Sequence, residues 1–136
     1  MLLSIRPGAS GDSTGTHVRW RHTKLVPFCA SPVLFEGWLF TVKDGGIMQC
    51  LNAETGKAAK PRRLEASGNY YASPVVGDGK IYLADEQGRL TVVNANETMD
   101  ILHTADFQEN IYGTPALVDG RIYVRTASAL YCFGMK

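Results

Sequence analysis

A Ser-Pro or Thr-Pro pair, followed by an apolar run and a Gly six residues after the hydroxyl residue, occurs three times in this chain. The pairs are Ser31-Pro32, Ser73-Pro74 and Thr114-Pro115, spaced 42 and 41 residues apart. Self-similarity at that period means one supersecondary unit copied in tandem, which settles the architecture before any single residue is interpreted.

Each copy reads as strand, tight turn, strand: Pro32 to Phe40, Pro74 to Tyr82 and Pro115 to Tyr123. Asp78-Gly79 and Asp119-Gly120 are dipeptides that two-residue hairpins favour, because both turn positions need positive φ. Glu36-Gly37 fills the same slot less ideally. The second strands are apolar on both faces (Leu39, Phe40 and Val42; Ile81, Tyr82 and Leu83; Ile122, Tyr123 and Val124). A sheet with one wet face would alternate, so these sheets must be covered on both sides.

A second turn follows at Asp44-Gly45-Gly46, Glu86-Gln87-Gly88 and Thr126 to Ala129, leading to third strands at Ile47 to Leu51, Arg89 to Val93 and Leu130 to Phe133. Weaker fourth strands are expected at Pro61 to Leu64 and Met99 to His103, the charged outer edges that a sheet uses against stray pairing. Leu2 to Arg6 and His17 to His22 fit as the third and fourth strands of a preceding unit, with Pro7 to Gly15 as a loop. Four strands in about 42 residues is the period of a propeller blade. The expected fold is all-β, a partial β-propeller of about three four-stranded antiparallel blades. Its segments are 1–24 (end of a preceding blade), 25–66, 67–107 and 108–136 (incomplete last blade).

These residues resemble the PQQ-like β-propeller repeat family, the quinoprotein-dehydrogenase-like fold shared with the outer-membrane assembly lipoprotein, and in particular its C-terminal blades. The nearest motif match is Leu51-Asn52-Ala53-Glu54-Thr55-Gly56-Lys57; the Arg6-Pro7-Gly8 start and Val18-Arg19-Trp20 add to it. The resemblance implies a Trp three positions after Lys57, but Lys60 stands there, and Glu97-Thr98-Met99 replaces Thr-Gly-Lys in the next unit. In dehydrogenase relatives that Trp locks neighbouring blades, so looser docking is expected. Catalytic relatives also carry an adjacent Cys-Cys pair over the quinone and a calcium site, and this chain has no Cys-Cys pair. The repeat therefore does not bring PQQ with it, and no cofactor is expected.

Other motifs are weaker. Gly11-Asp12-Ser13-Thr14-Gly15 matches the G-x-S-x-G nucleophile elbow, which needs a strand-to-helix turn; the next ordered run is the strand around Trp20, so a loop is expected. His17, His22 and Cys29 match no metal-finger spacing, and His103 stands alone. Asn96-Glu97-Thr98 is a glycosylation sequon that matters only in a secretory host. Cys29, Cys50 and Cys132 are an odd number without C-x-x-C spacing and are expected to be buried thiols.

The segments entering the first strands carry the candidate site. Asn69, Tyr70 and Tyr71 precede Ser73, and Asn110 and Tyr112 precede Thr114, on loops that in a propeller surround the central channel. Tyrosines there either pack between blades or offer rigid apolar area with a polar tip to a partner. Arg125, at the end of a second strand, is either a channel-mouth residue or a hydrogen-bond donor to a neighbouring blade. No catalytic and no metal-binding residues are assigned.

With 14 Lys+Arg against 13 Asp+Glu, the charge is too balanced for a nucleic-acid footprint, and no apolar run approaches the roughly 20 residues of a membrane span. The chain is thus expected to be a non-catalytic binding or scaffold module, a fragment of a larger extracytoplasmic (periplasmic or secreted) protein by resemblance, with no signal peptide of its own. The alternative is part of a PQQ-dependent oxidoreductase whose catalytic residues lie outside the chain. Its expected partners are missing N-terminal blades or a second copy, together with a protein ligand, since open blade faces this apolar promote association.

Overall fold

The computed structural model describes residues 1–66 and 68–134. Among the described residues, thirteen antiparallel strands form four separate sheets in sequence order. β1 (Leu2–Ile5) pairs with β2 (Val18–His22). The second sheet is β3 (Val33–Phe35), β4 (Trp38–Lys43), β5 (Ile47–Asn52) and β6 (Arg62–Arg63). The third is β7 (Val75–Gly77), β8 (Lys80–Ala84), β9 (Arg89–Asn94) and β10 (Ile101–Asp106). The last is β11 (Ala116–Val118), β12 (Arg121–Arg125) and β13 (Leu130–Gly134). Every sheet is a meander between sequence neighbours, which is blade topology. Among the described residues there is no helix, and so none long and apolar enough to cross a membrane.

The three hairpins are built as their dipeptides require. Glu36 and Gly37, Asp78 and Gly79, and Asp119 and Gly120 all have positive φ, the primed turn that matches strand twist. The Ser/Thr of the repeat signature links neighbouring units through hydrogen bonds. Ser31 N–H donates to Ser73 Oγ (2.9 Å), and Ser73 N–H donates to Thr114 Oγ (3.0 Å). Each unit thus hands its backbone donor to the hydroxyl of the next. This ladder runs beside the innermost strands, where β7 lies against both β3 and β11.

Two apolar layers join the sheets face to face. Phe40, Val42, Met48 and Cys50 of the second blade meet Ile81, Leu83 and Val93 of the third, with Tyr70 between them. Ala84 and Leu90 meet Val124 through Ile111, and Tyr82, Phe107, Ile122 and Tyr131 pack around them. Strand alternation sends Phe40 and Val42 one way, and Thr41 and Lys43 the other.

The first hairpin docks through Trp20. A Cβ on Gly56 would lie 2.7 Å from the indole ring, and the indole N–H donates to the Ala53 carbonyl at 2.9 Å. His22 Nε2 shares a 2.8 Å hydrogen bond with Gln49 Oε1 just inside this contact. The next junction has no Trp in that interlocking place, Trp38 packing against its buried cluster instead, and is filled from the opposite side. Met99 takes φ 49° in a turn capped by Asn96 Oδ1, which accepts from the Thr98 and Met99 N–H groups. Its side chain is fully buried in the layer between the second and third blades, against which Ala59 packs. Trp20→Ala should cost about 2 kcal/mol, below the range for a fully buried Trp because the ring is half-buried. Hydrogen exchange should then show β1 and β2 released while β7 to β13 stay protected.

Several expectations need correction. Cys50 is buried, and desolvation pushes its thiol pKa up to about 12, but Cys29 and Cys132 are exposed because each lies where no further blade covers it. The fourth strand of the second blade shrinks from Pro61 to Leu64 to Arg62–Arg63, and that of the third starts at Ile101 because Met99 belongs to the turn.

Candidate functional site

At one end of the blades, the loops entering the inner strands meet the turns between second and third strands, and carboxylates tie them together. Asp44 Oδ1 accepts from Tyr70 N–H (2.9 Å). The buried Asp85 accepts from the backbone N–H groups of Gly68, Gln87 and Arg89, at 3.1, 3.1 and 2.9 Å. Glu109 accepts from Thr126 Oγ (2.6 Å) and from both the N–H and Oγ of Ser128 (3.2 and 2.7 Å). These hydrogen bonds, Thr126 foremost, hold the Glu109 carboxyl below the usual carboxylate range.

The candidate residues separate once placed on this scaffold. Asn69 is structural: its Nδ2 and N–H both donate to Glu86 Oε1 (2.6 and 3.3 Å), and its carbonyl accepts from Glu86 N–H. Asn110 Nδ2 donates to the Glu86 carbonyl at 2.7 Å, stitching the entry to the last blade onto the blade before. Tyr70 does not belong to the exposed face. It is 1% exposed, its hydroxyl donates to the Ala66 carbonyl at 3.1 Å, and burial raises its pKa. Alternation in an extended loop puts its ring between blades and leaves the next residue outside.

That next residue is Tyr71. It is 42% exposed, Tyr112 is 58% exposed, and their rings lie 5.6 Å apart at 54°. The two occupy equivalent repeat positions, so neighbouring blades bring them side by side. Beyond them, Asn110, Tyr112, Gly113, Arg125, Thr126 and Ala127 line an open recess of about 110 Å³. Arg125 is exposed and, among the described residues, makes no ion pair or side-chain hydrogen bond. By repeat spacing it stands where the interior blades place Val42 and Ala84, both buried against the next blade. The 42-residue alignment contained that signal, although a reading of Arg125 alone missed it.

The other motifs are held in local contacts. Ser13 Oγ points at the carbonyls of Ser10 and Gly11, and the His17 ring pairs with Thr16. Among the described residues no three of His, Cys, Asp and Glu converge as metal ligands. Asp44, Asp85 and Glu109 are all bonded to loop amides or hydroxyls.

Stacked four-stranded antiparallel meanders joined by a hydroxyl ladder define a segment of a β-propeller. The family profile described as outer membrane protein assembly factor BamB matches residues 9–98, about two thirds of the chain. The chain belongs to this PQQ-like repeat family. Its structure is similar to that of BamB from Moraxella catarrhalis, with a TM-score of 0.70 at 20% identity over 87% of this chain and 37% of that one. The quinohemoprotein alcohol dehydrogenase ADHIIG from Pseudomonas putida HK5 gives a TM-score of 0.63 at 18% identity over 78% of this chain and 19% of the enzyme. The quinohemoprotein alcohol dehydrogenase from Comamonas testosteroni gives 0.59 at 16% identity, over 74% and 17%. Comparison with curated protein sequences finds no significant match. The chain spans well under half the length of these solved relatives, and the likeness to them concerns the fold.

Proposed function

We propose that this chain is a non-catalytic propeller segment of an extracytoplasmic protein, acting as a binding module whose protein partner docks on Tyr71 and Tyr112. The observation that carries the reading is the exposed, mutually packed tyrosine pair, held on loops whose polar groups are otherwise internally bonded. Aromatic rings anchored on rigid loops give large contact area at little entropic cost, the composition of interface hot spots. Arg125 and the recess beside Tyr112 form a polar rim that would take an acidic or amide group of that partner. The family's BamB description, that of an assembly factor, supports a scaffold role, and no quinone chemistry is assigned to this segment.

A photo-crosslinking residue at position 112 should yield one discrete protein adduct in the producing cell, whereas one at Glu54, on the remote turn, should not. Tyr71→Ala should lower that adduct at least tenfold. Crosslinking unchanged by Tyr71→Ala, or turnover of alcohols by the purified chain in a PQQ-supplemented dye-reduction assay, would refute the proposal.

A further inference from the structure

The inner hairpins of the second and third blades fill the space toward the next blade differently. On the side of the second blade that meets the third, the cross-strand pair Phe35 and Trp38 packs against the buried cluster that holds Phe40. One unit later the same two places are Gly77 and Lys80, on the side of the third blade that meets the fourth. Gly77 has no side chain to offer, and Lys80 turns back to its own hairpin, where its Nζ meets Asp78 Oδ2 at 2.5 Å. What is left between the two blades is a recess of about 410 Å³, inside the range of small-molecule sites. Gly77, Tyr82, Leu117 and Ile122 give it apolar walls, and Tyr82 and Ile122 continue into the buried layer. Its rim carries charge. Asp119 and Arg121 repeat the places of Asp78 and Lys80, yet among the described residues neither forms an ion pair.

We propose that this recess binds a free aromatic amino acid, with the ring against Tyr82, Leu117 and Ile122, the ammonium on the Asp119 carboxylate and the carboxylate on the Arg121 guanidinium. The molecule supplies the template for the ring, because Phe35 and Trp38 are the aromatic groups that occupy the equivalent space one blade earlier. The rim supplies the choice of charge. Two opposite charges left open within one hairpin match a zwitterion, and the planar fork of a guanidinium suits a carboxylate. The closed Asp78–Lys80 pair shows that residues so spaced can neutralise each other, so the open pair at Asp119 and Arg121 sets the fourth blade apart. Gly77 is what leaves the room. Its φ is not positive, so the backbone there does not require glycine, and the atom nearest an added Cβ is Leu117 Cδ1 at 2.7 Å, the far end of a flexible side chain.

The test titrates L-tryptophan into the isotope-labelled full chain and follows the backbone amides by NMR. Shifts should saturate at Gly77 to Tyr82 and at Leu117 to Ile122 with a Kd of about 1 mM or below, the affinity of a ligand this small in a half-open site. Tryptamine, which lacks the carboxylate, and indole-3-propionate, which lacks the ammonium, should each bind at least fivefold more weakly. L-Alanine, which lacks the ring, should leave these amides unmoved. Gly77→Val should abolish the shifts, with the amides of β4, β5, β8 and β9 reporting that the blades remain folded. Asp119→Asn should weaken tryptophan at least fivefold and leave indole-3-propionate unchanged; Asn accepts the positive φ of this turn position, so the hairpin is kept and this variant carries the test should Gly77→Val disturb the fold. Absence of saturable shifts, equal response to L-alanine, tryptamine binding as tightly as tryptophan, or a Kd unmoved by Asp119→Asn would each overturn the proposal. The tyrosine pair precedes β7 and β11 whereas these hairpins follow them, so this site and the partner face stand or fall separately.

Discussion

Gly88→Val should destabilise the chain by about 4 kcal/mol. Gly88 sits at φ 92°, where a β-branched residue is strained. A Cβ there would lie 2.1 Å from the Glu109 carbonyl oxygen and about 3 Å from the same residue's C and N atoms. Backbone cannot step aside as a flexible side chain would, so the loop entering the last blade must move. That movement endangers the Phe107 N–H to Gly88 carbonyl bond (2.9 Å) and the Asn110 bond to the Glu86 carbonyl. Gly46, at the equivalent position one unit earlier, meets the Ala66 carbonyl at the same 2.1 Å and should respond alike. Gly79 is the control: its φ is 65° but nothing lies within 4 Å of a Cβ, so Gly79→Ala should cost only about 1 kcal/mol. Urea titrations should show Gly88→Val and Gly46→Val lowered alike and well below Gly79→Ala, and equal midpoints for Gly88→Val and Gly79→Ala would refute the close-approach argument.

Phe40→Ala is the second large effect, about 3–5 kcal/mol from lost transfer energy and the cavity left behind. Phe40 is fully buried where the second blade meets the third, and the surrounding layer is drawn from both sheets. The loss should therefore appear on both sides of the junction, with faster exchange in β8 and β9 as well as in β4 and β5. Leu34, one strand away and 59% exposed, should tolerate alanine within about 0.5 kcal/mol. A denaturation midpoint lowered by Phe40→Ala with unchanged slope would place the effect in the native packing. A loss confined to the second blade would show that the sheets are held together by something other than this layer.

The tandem period, the paired positive-φ turns and the doubly apolar second strands were legible because each is a local chemical requirement written in adjacent residues. Strand limits at the outer edge were less so. β6 is only Arg62–Arg63, and the start of β10 depends on Met99, whose burial is set by what the neighbouring blade leaves open. The loops of the candidate face were legible in the sequence, but which of their residues are exposed was not. Tyr70 and Tyr71 are adjacent and identical, and only the position of the second blade decides which one is covered. Exposure of Cys29 and Cys132 was equally hidden, since a small apolar residue in a strand is buried only when another sheet arrives to bury it.

Alone, the order of residues determined that this chain forms repeated four-stranded units, because turn chemistry and hydrophobic patterning act over a few residues and need no distant partner. Only the tertiary arrangement decided what each repeated position does. The same offset is a plug at Tyr70 and Ile111 and an exposed ring at Phe28. Another is core at Val42 and Ala84 and a free guanidinium at Arg125. Burial is a property of two surfaces meeting, and a one-dimensional repeat cannot say which of its copies has a neighbour.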